Sequence, residues 1–164
     1  MSRLSEVTKR AAINGQKLLI PYLVAGDPNL SATEKLMHQL VKDGADIIEL
    51  GIPFSDPSSD GPVIQLGAER AIASGTSLTD VCELMKKFRA KNSATPVVLI
   101  GYLNPIELMG YEEFTKEVSK ADVDGVLVHI TTGKPSACKM SNIISGLWPV
   151  RSTGQSGQSW YRFI

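Results

Sequence analysis

Apolar residues follow two rhythms along this chain, and the rhythms alternate. Predominantly apolar runs stand at 18–24, 46–50, 96–102 and 123–128. Between them apolar positions recur every three or four residues: Leu36, Met37, Leu40 and Val41, then Val81, Leu84, Met85 and Phe88. The second rhythm lines one side of a helix. The first is how a parallel strand buried on both faces reads. The pattern predicts a helix over 2–14 with Leu4, Val7, Ala11 and Ala12 inward and Gly15 at its end. Ser31-Ala-Thr-Glu34 reads as a capping box opening the next helix, which ends near Gly44. Helices follow over 64–73, from Ser77 onward and over 112–120, with turns at Gly26-Asp27-Pro28 and Tyr102-Leu-Asn-Pro105. Four strand–helix alternations predict a parallel sheet covered on both faces, with every strand's C-terminal end on one rim.

The pattern stops after Val128. Residues 129–164 contain no Asp or Glu, although the chain has 17 of them, and both tryptophans, Trp148 and Trp160, fall in this stretch. Its Ser152-Thr-Gly-Gln-Ser-Gly-Gln-Ser159 run is low in complexity. Two regions are expected, an α/β unit over 1–128 and a divergent, disordered or loosely packed tail over 129–164.

Composition narrows the function classes. The 164 residues carry a formal net charge of zero, which offers nothing to nucleic acid or an anionic membrane. No apolar run approaches the roughly 18–20 residues that span a bilayer, and the polar, mixed-charge N-terminus is not a signal peptide. Cys82 and Cys138 lie far apart without a motif, so free thiols in a reducing compartment, the cytoplasm, are expected.

The chemistry gathers in one stretch, Glu49-Leu-Gly-Ile-Pro-Phe-Ser-Asp-Pro-Ser-Ser-Asp60-Gly-Pro-Val-Ile-Gln65. Glu49 stands at the end of an apolar strand, where a carboxylate costs several kcal/mol unless it is paired or used. Asp56 and Asp60 follow in a proline-locked loop, where turn formation alone also explains an Asp. Carboxylates at a strand's C-terminal end and on the next loop suit acid–base chemistry in an α/β barrel. His129 and His38 lack metal-ligand spacing. There is no Gly-rich dinucleotide loop, no Ser–His–Asp arrangement and no strand-end lysine for a Schiff base.

Residues 19–128 resemble the alpha subunit of tryptophan synthase. The resemblance rests on Pro21-Tyr-Leu-Val-Ala-Gly-Asp-Pro28, Gly44-Ala-Asp-Ile-Ile-Glu-Leu-Gly-Ile-Pro-Phe-Ser-Asp-Pro57, Asp60-Gly-Pro-Val-Ile-Gln65, Tyr102-Leu-Asn-Pro105 and Val123-Asp-Gly-Val-Leu-Val128. It implies the first four units of a (β/α)₈ barrel and a retro-aldol cleavage of indole-3-glycerol phosphate to indole and glyceraldehyde 3-phosphate. It further implies Glu49 as the general acid–base and Asp60 as the partner of the indole N–H. Tyr22, Ile100, Tyr102 and Leu127 would line the indole pocket, although barrel packing equally explains Ile100 and Leu127. Pro53, Asp56, Pro57 and Asn104 would face a beta subunit in an α₂β₂ assembly. No cofactor is implied here, pyridoxal phosphate belonging to the beta subunit.

The family continues after strand four with Asp and Pro, whereas this chain reads His129-Ile-Thr-Thr. A full barrel takes at least about 200 residues and holds substrate phosphate on loops after strands seven and eight. A frame change or shortened product is therefore expected, with impaired turnover. The alternative is a non-catalytic half-barrel that docks a partner. A weaker third reading is another phosphate-binding barrel.

Overall fold

The structure, a computed structural model, describes residues 2–131, 150–155 and 158–163. Helix α1 (Arg3–Asn14) leads into β1 (Tyr22–Val24), α2 (Leu30–Lys42), β2 (Ile48–Gly51), α3 (Pro62–Ala73), α4 (Leu78–Arg89) and β3 (Val97–Tyr102). Helices α5 (Leu103–Met109) and α6 (Tyr111–Lys120), strand β4 (Gly125–Thr131) and strands β5 (Val150–Gln155) and β6 (Gln158–Phe163) complete it. The sheet order is β1-β2-β3-β4-β6-β5. The first four strands run parallel in chain order, and β6 adds antiparallel to β4 with β5 beyond it.

Local chemistry explains most element boundaries. Ser77 and Asp80 form a reciprocal capping box at the start of α4, an arrangement that stabilises a helix by about 1 kcal/mol. Pro62 opens α3, where its missing N–H costs nothing. The cap of α2 differs from the one expected at Ser31: Asn29 is the N-cap, and its side chain accepts from the Ala32 amide. The expected turn after Tyr102 is helix α5, because Pro105 lies in the first turn, where a proline is tolerated. Strand β4 continues past Val128 to Thr131, and β5 and β6 are strands where the apolar pattern predicts no element. Cys138 and Trp148 lie outside the described residues.

The two sheet faces are not equivalent. On β3, Val97, Leu99 and Gly101 are buried, while Val98, Ile100 and Tyr102 are half-buried. The fully buried face packs Ile48, Leu50, Val97, Leu99, Val126 and Val128 against Met37, Val81, Met85, Phe88, Phe114 and Val118 of the helices. The expectation of a sheet covered on both faces is therefore corrected. Among the described residues the second face is covered only at its N-terminal end. There Leu4 and Val7 of α1 pack on Ile47, with Leu18 and Val98 against them. Ala12, expected inward, is exposed on the outer side of α1. Above this plug the second face opens into a cleft.

Candidate active site

Parallel register builds the cleft row by row. Tyr22 pairs with Glu49 and Glu49 with Val98, and one step higher Ile100 pairs with Leu127 and Tyr102 with His129. Because side chains alternate, Glu49, Val98, Ile100, Tyr102, Leu127 and His129 share the second face. Glu49 lies two residues past Ile47, just above the α1 plug. Burial pushes its carboxyl above the usual carboxylate range, the direction that suits a group exchanging protons near neutral pH.

The loop after β2 folds back over the rim. Short turns shape it: the Ser58 amide donates to the Asp56 carbonyl and the Asp60 amide to that of Pro57. Gln65 of α3 donates to the Asp60 carbonyl at 2.9 Å. The Tyr102 hydroxyl is the meeting point. It accepts from the Ser59 amide at 3.0 Å and donates to Asp60 Oδ2 at 3.1 Å. Ser59 Oγ is hydrogen-bonded to His129 Nε2. The Tyr102 ring sits 5.3 Å from Phe54 and 5.2 Å, edge-on, from His129.

A cleft of about 80 Å³ results, lined by Tyr22, Ile52, Ser59, Asp60, Ile100, Gly101, Tyr102 and His129. Neither lysine nor arginine stands among these residues. Burial, followed by the charges of Asp60 and Glu49 and the Tyr102 phenol, pushes the Tyr22 phenol up to about 12. Tyr22 therefore remains a neutral hydroxyl. It reaches this position only because residue 51 is glycine: a Cβ there would lie 2.1 Å from the Tyr22 hydroxyl oxygen.

The structure thus brings Tyr22, Asp60, Ile100 and Tyr102 onto one cleft and sets Glu49 on the same face below it. Leu127 is half-buried beside Ile100 but is not among the residues lining the cleft. Asp56 and Asn104 are exposed on the same rim, Pro57 is half-buried, and Pro53 is buried and shapes the loop from within. Sequence spacing could not join Ser59 and His129, 70 positions apart. Register between β3 and β4 does so, and the only sequence signal was a polar residue at a strand end. Among the described residues no group of three or more His, Cys, Asp or Glu side chains could hold a metal, and no helix is long and apolar enough to cross a membrane.

The family model of the tryptophan synthase alpha chain matches residues 8–143. The alpha chain of Neisseria gonorrhoeae is 58% identical over 127 residues, which is 77% of this chain and 48% of that protein. The alpha chain of Marinobacter nauticus is likewise 58% identical, over 77% of this chain and 47% of its own length. The crystal structure of tryptophan synthase subunit alpha from Legionella pneumophila superposes with a TM-score of 0.81 at 44% identity, covering 89% of this chain and 55% of that one. Tryptophan synthase of M. tuberculosis in its aminoacrylate-bound form gives 0.78 at 29% identity, covering 90% of this chain and 58% of that one. The chain spans about half the length of the curated relatives it matches. Its four parallel βα units correspond to roughly half of the alpha-subunit barrel, and the chain belongs to the tryptophan synthase alpha chain family.

Proposed function

We propose that this site performs the acid–base part of indole-3-glycerol phosphate cleavage, a retro-aldol carbon–carbon lyase reaction of tryptophan biosynthesis. The observation that carries the reading is the pair of carboxylates in unlike surroundings. Glu49 is pushed toward its neutral form by burial at the α1 plug, while Asp60 is held at the rim by a tyrosine hydroxyl. Such a division lets one group exchange protons while the other serves as a hydrogen-bond acceptor. Glu49 delivers a proton to indole C3 and removes one from the neighbouring glycerol hydroxyl. The carbon–carbon bond then breaks, its electrons return to the indole ring, and the hydroxyl carbon leaves as an aldehyde. Asp60 accepts from the indole N–H and offsets the positive charge of the C3-protonated intermediate. Ile100, Tyr22 and Tyr102 flank the ring, with Leu127 behind Ile100. The alpha chains of the family use no cofactor, and these steps call for none.

The cleft fits the indole end of the substrate. Among the described residues that line it there is no cation for a phosphate, and binding energy from that remote group is what orients the reacting bond. Slow turnover by the 164-residue chain follows. A beta subunit is the proposed partner, met through the exposed Asp56 and Asn104 with Pro57, while Pro53 sets the loop's course. Docking without turnover is the second reading, favoured by Leu108, 89% exposed one helical turn beyond Asn104.

Single-turnover release of indole from indole-3-glycerol phosphate, with excess chain and a beta subunit present, tests the proposal. Glu49→Gln is expected to slow release by roughly 10²–10⁴-fold, the usual contribution of a positioned acid–base group. Release that Glu49→Gln leaves unchanged, or no release while the beta subunit still binds, favours docking alone.

A further inference from the structure

We propose, building on the reading of the site above, that His129 is a positioning residue: by holding the Ser59 hydroxyl it locks the 53–61 loop onto the strand rim and sets Asp60 over the cleft. The loop's own turns fix its shape but not its place, since both join residues within the loop. On its far side it is tied to α3 by Gln65. Toward the sheet, among the described residues, it is held by two side chains: the Tyr102 hydroxyl, bonded to the Ser59 amide and to Asp60 Oδ2, and His129, bonded to the Ser59 hydroxyl.

The two ties are coupled through the aromatic stack. Tyr102 and His129 are register partners on adjacent strands. His129 packs edge-on against the same tyrosine ring that donates to Asp60. Moving the imidazole therefore shifts both the Ser59 anchor and the donor that aims Asp60. His129 is 5% exposed, whereas Ser59 lies on the exposed loop. A rigid strand residue thus holds a surface segment. Burial lowers the imidazole's proton affinity, which keeps it neutral, so that one ring nitrogen can accept the Ser59 O–H.

The test uses the 164-residue chain with Ser59→Ala, His129→Ala, His129→Gln and the double alanine variant. Ser59 is exposed, so its truncation leaves the core intact even if His129→Ala disturbs folding. Backbone amide exchange at residue 59 and protease cleavage within 53–61 report loop opening. Loss of one such hydrogen bond is expected to raise both by roughly 3- to 10-fold. The double variant is expected to match the singles rather than their product, and His129→Gln, whose amide reaches the hydroxyl, to recover part of the loss. Exchange and cleavage within about twofold of the parent chain in Ser59→Ala, less than one hydrogen bond is worth, or fully multiplicative single effects, overturn the proposal. Titration of the parent chain with indole, followed by NMR at Ile100 and Tyr102, separates the two readings. Loop loosening without indole binding leaves the His129 latch standing and removes the substrate assigned to the cleft.

Discussion

The two ends of the parallel sheet treat their carboxylates in opposite ways. At the N-terminal end Asp124, with a side chain 3% exposed, is saturated with donors. Arg3 Nε reaches it at 2.6 Å, the Val97 amide at 2.8 Å, and the Arg89 guanidinium closes the third side. Arg3 also pairs with Asp122 at 2.7 Å and so ties α1 to the start of β4. At the C-terminal end Asp60 lines a cleft with tyrosine hydroxyls, a serine and an imidazole, Glu49 lies on the same face below it, and among the described lining residues there is no guanidinium or ammonium. A carboxylate matched by cations on every side is spent on holding the fold. One left beside neutral donors keeps its charge and proton available for a substrate. In strand register Asp124 comes one residue before Gly125, which is level with Glu49, and the Tyr102–His129 pair at the rim stands four residues above that level.

Breaking the first end should cost the most. Asp124→Ala leaves the half-buried Arg3 and the buried Arg89 without their shared partner. Removal of one partner from such a buried group typically costs about 3–5 kcal/mol. Urea unfolding is expected to show that loss as a large drop in midpoint. A change under about 1 kcal/mol, the range of exposed ion pairs, would place the network among surface charges.

Gly51→Ala should have an intermediate effect, at the second end alone. The new methyl meets the Tyr22 hydroxyl and ring edge, and overpacking of this kind costs about 1–3 kcal/mol when the neighbour cannot move. Tyr22 is half-buried and faces the cleft, so displacement of its ring is the expected outcome. The loss then falls at the low end of that range while the cleft narrows. The phenol titration of Tyr22, from near 12 back toward its ordinary value, reports the displacement. An unshifted titration would show that the backbone moved instead.

The smallest effect is the pH dependence of Glu49. Its folded-state proton affinity is raised, so the native chain binds more protons than the unfolded one as pH passes through the carboxylate range. Stability from this group is therefore present at low pH and lost as pH rises from about 4.5 through the raised value. Asp27, Glu34, Asp80, Glu117 and Asp122, held below the usual range mainly by hydrogen bonds to their partners, act in the opposite sense. The difference between the native chain and Glu49→Gln isolates the one group. Urea midpoints across pH 4 to 7 should show the native chain losing stability relative to the variant on going up in pH. Parallel curves would mean that Glu49 is as well solvated folded as unfolded.

Much of this was legible in the chain itself, because it depends on neighbours in sequence. Val81, Leu84, Met85 and Phe88 are all buried on one side of α4, as their spacing requires. The Ser77 cap, the four parallel strands and the position of Glu49 near the end of β2, two residues before Gly51, follow from local pattern. The Leu50-Gly-Ile-Pro-Phe-Ser-Asp-Pro57 motif carried the family. What only the tertiary structure decided depends on register and on which face a helix covers. Alternation along a strand does not say that α1 plugs one end of the inner face, so it could not distinguish a sheet covered twice from one with an open cleft. Nor could it pair β6 with β4, since strand pairing is a property of two segments. Ser59 and His129 meet because a loop folds back across two strands. A chain read in order contains both residues, but hydrogen bonds act through space, and the three-dimensional fold alone supplies that distance.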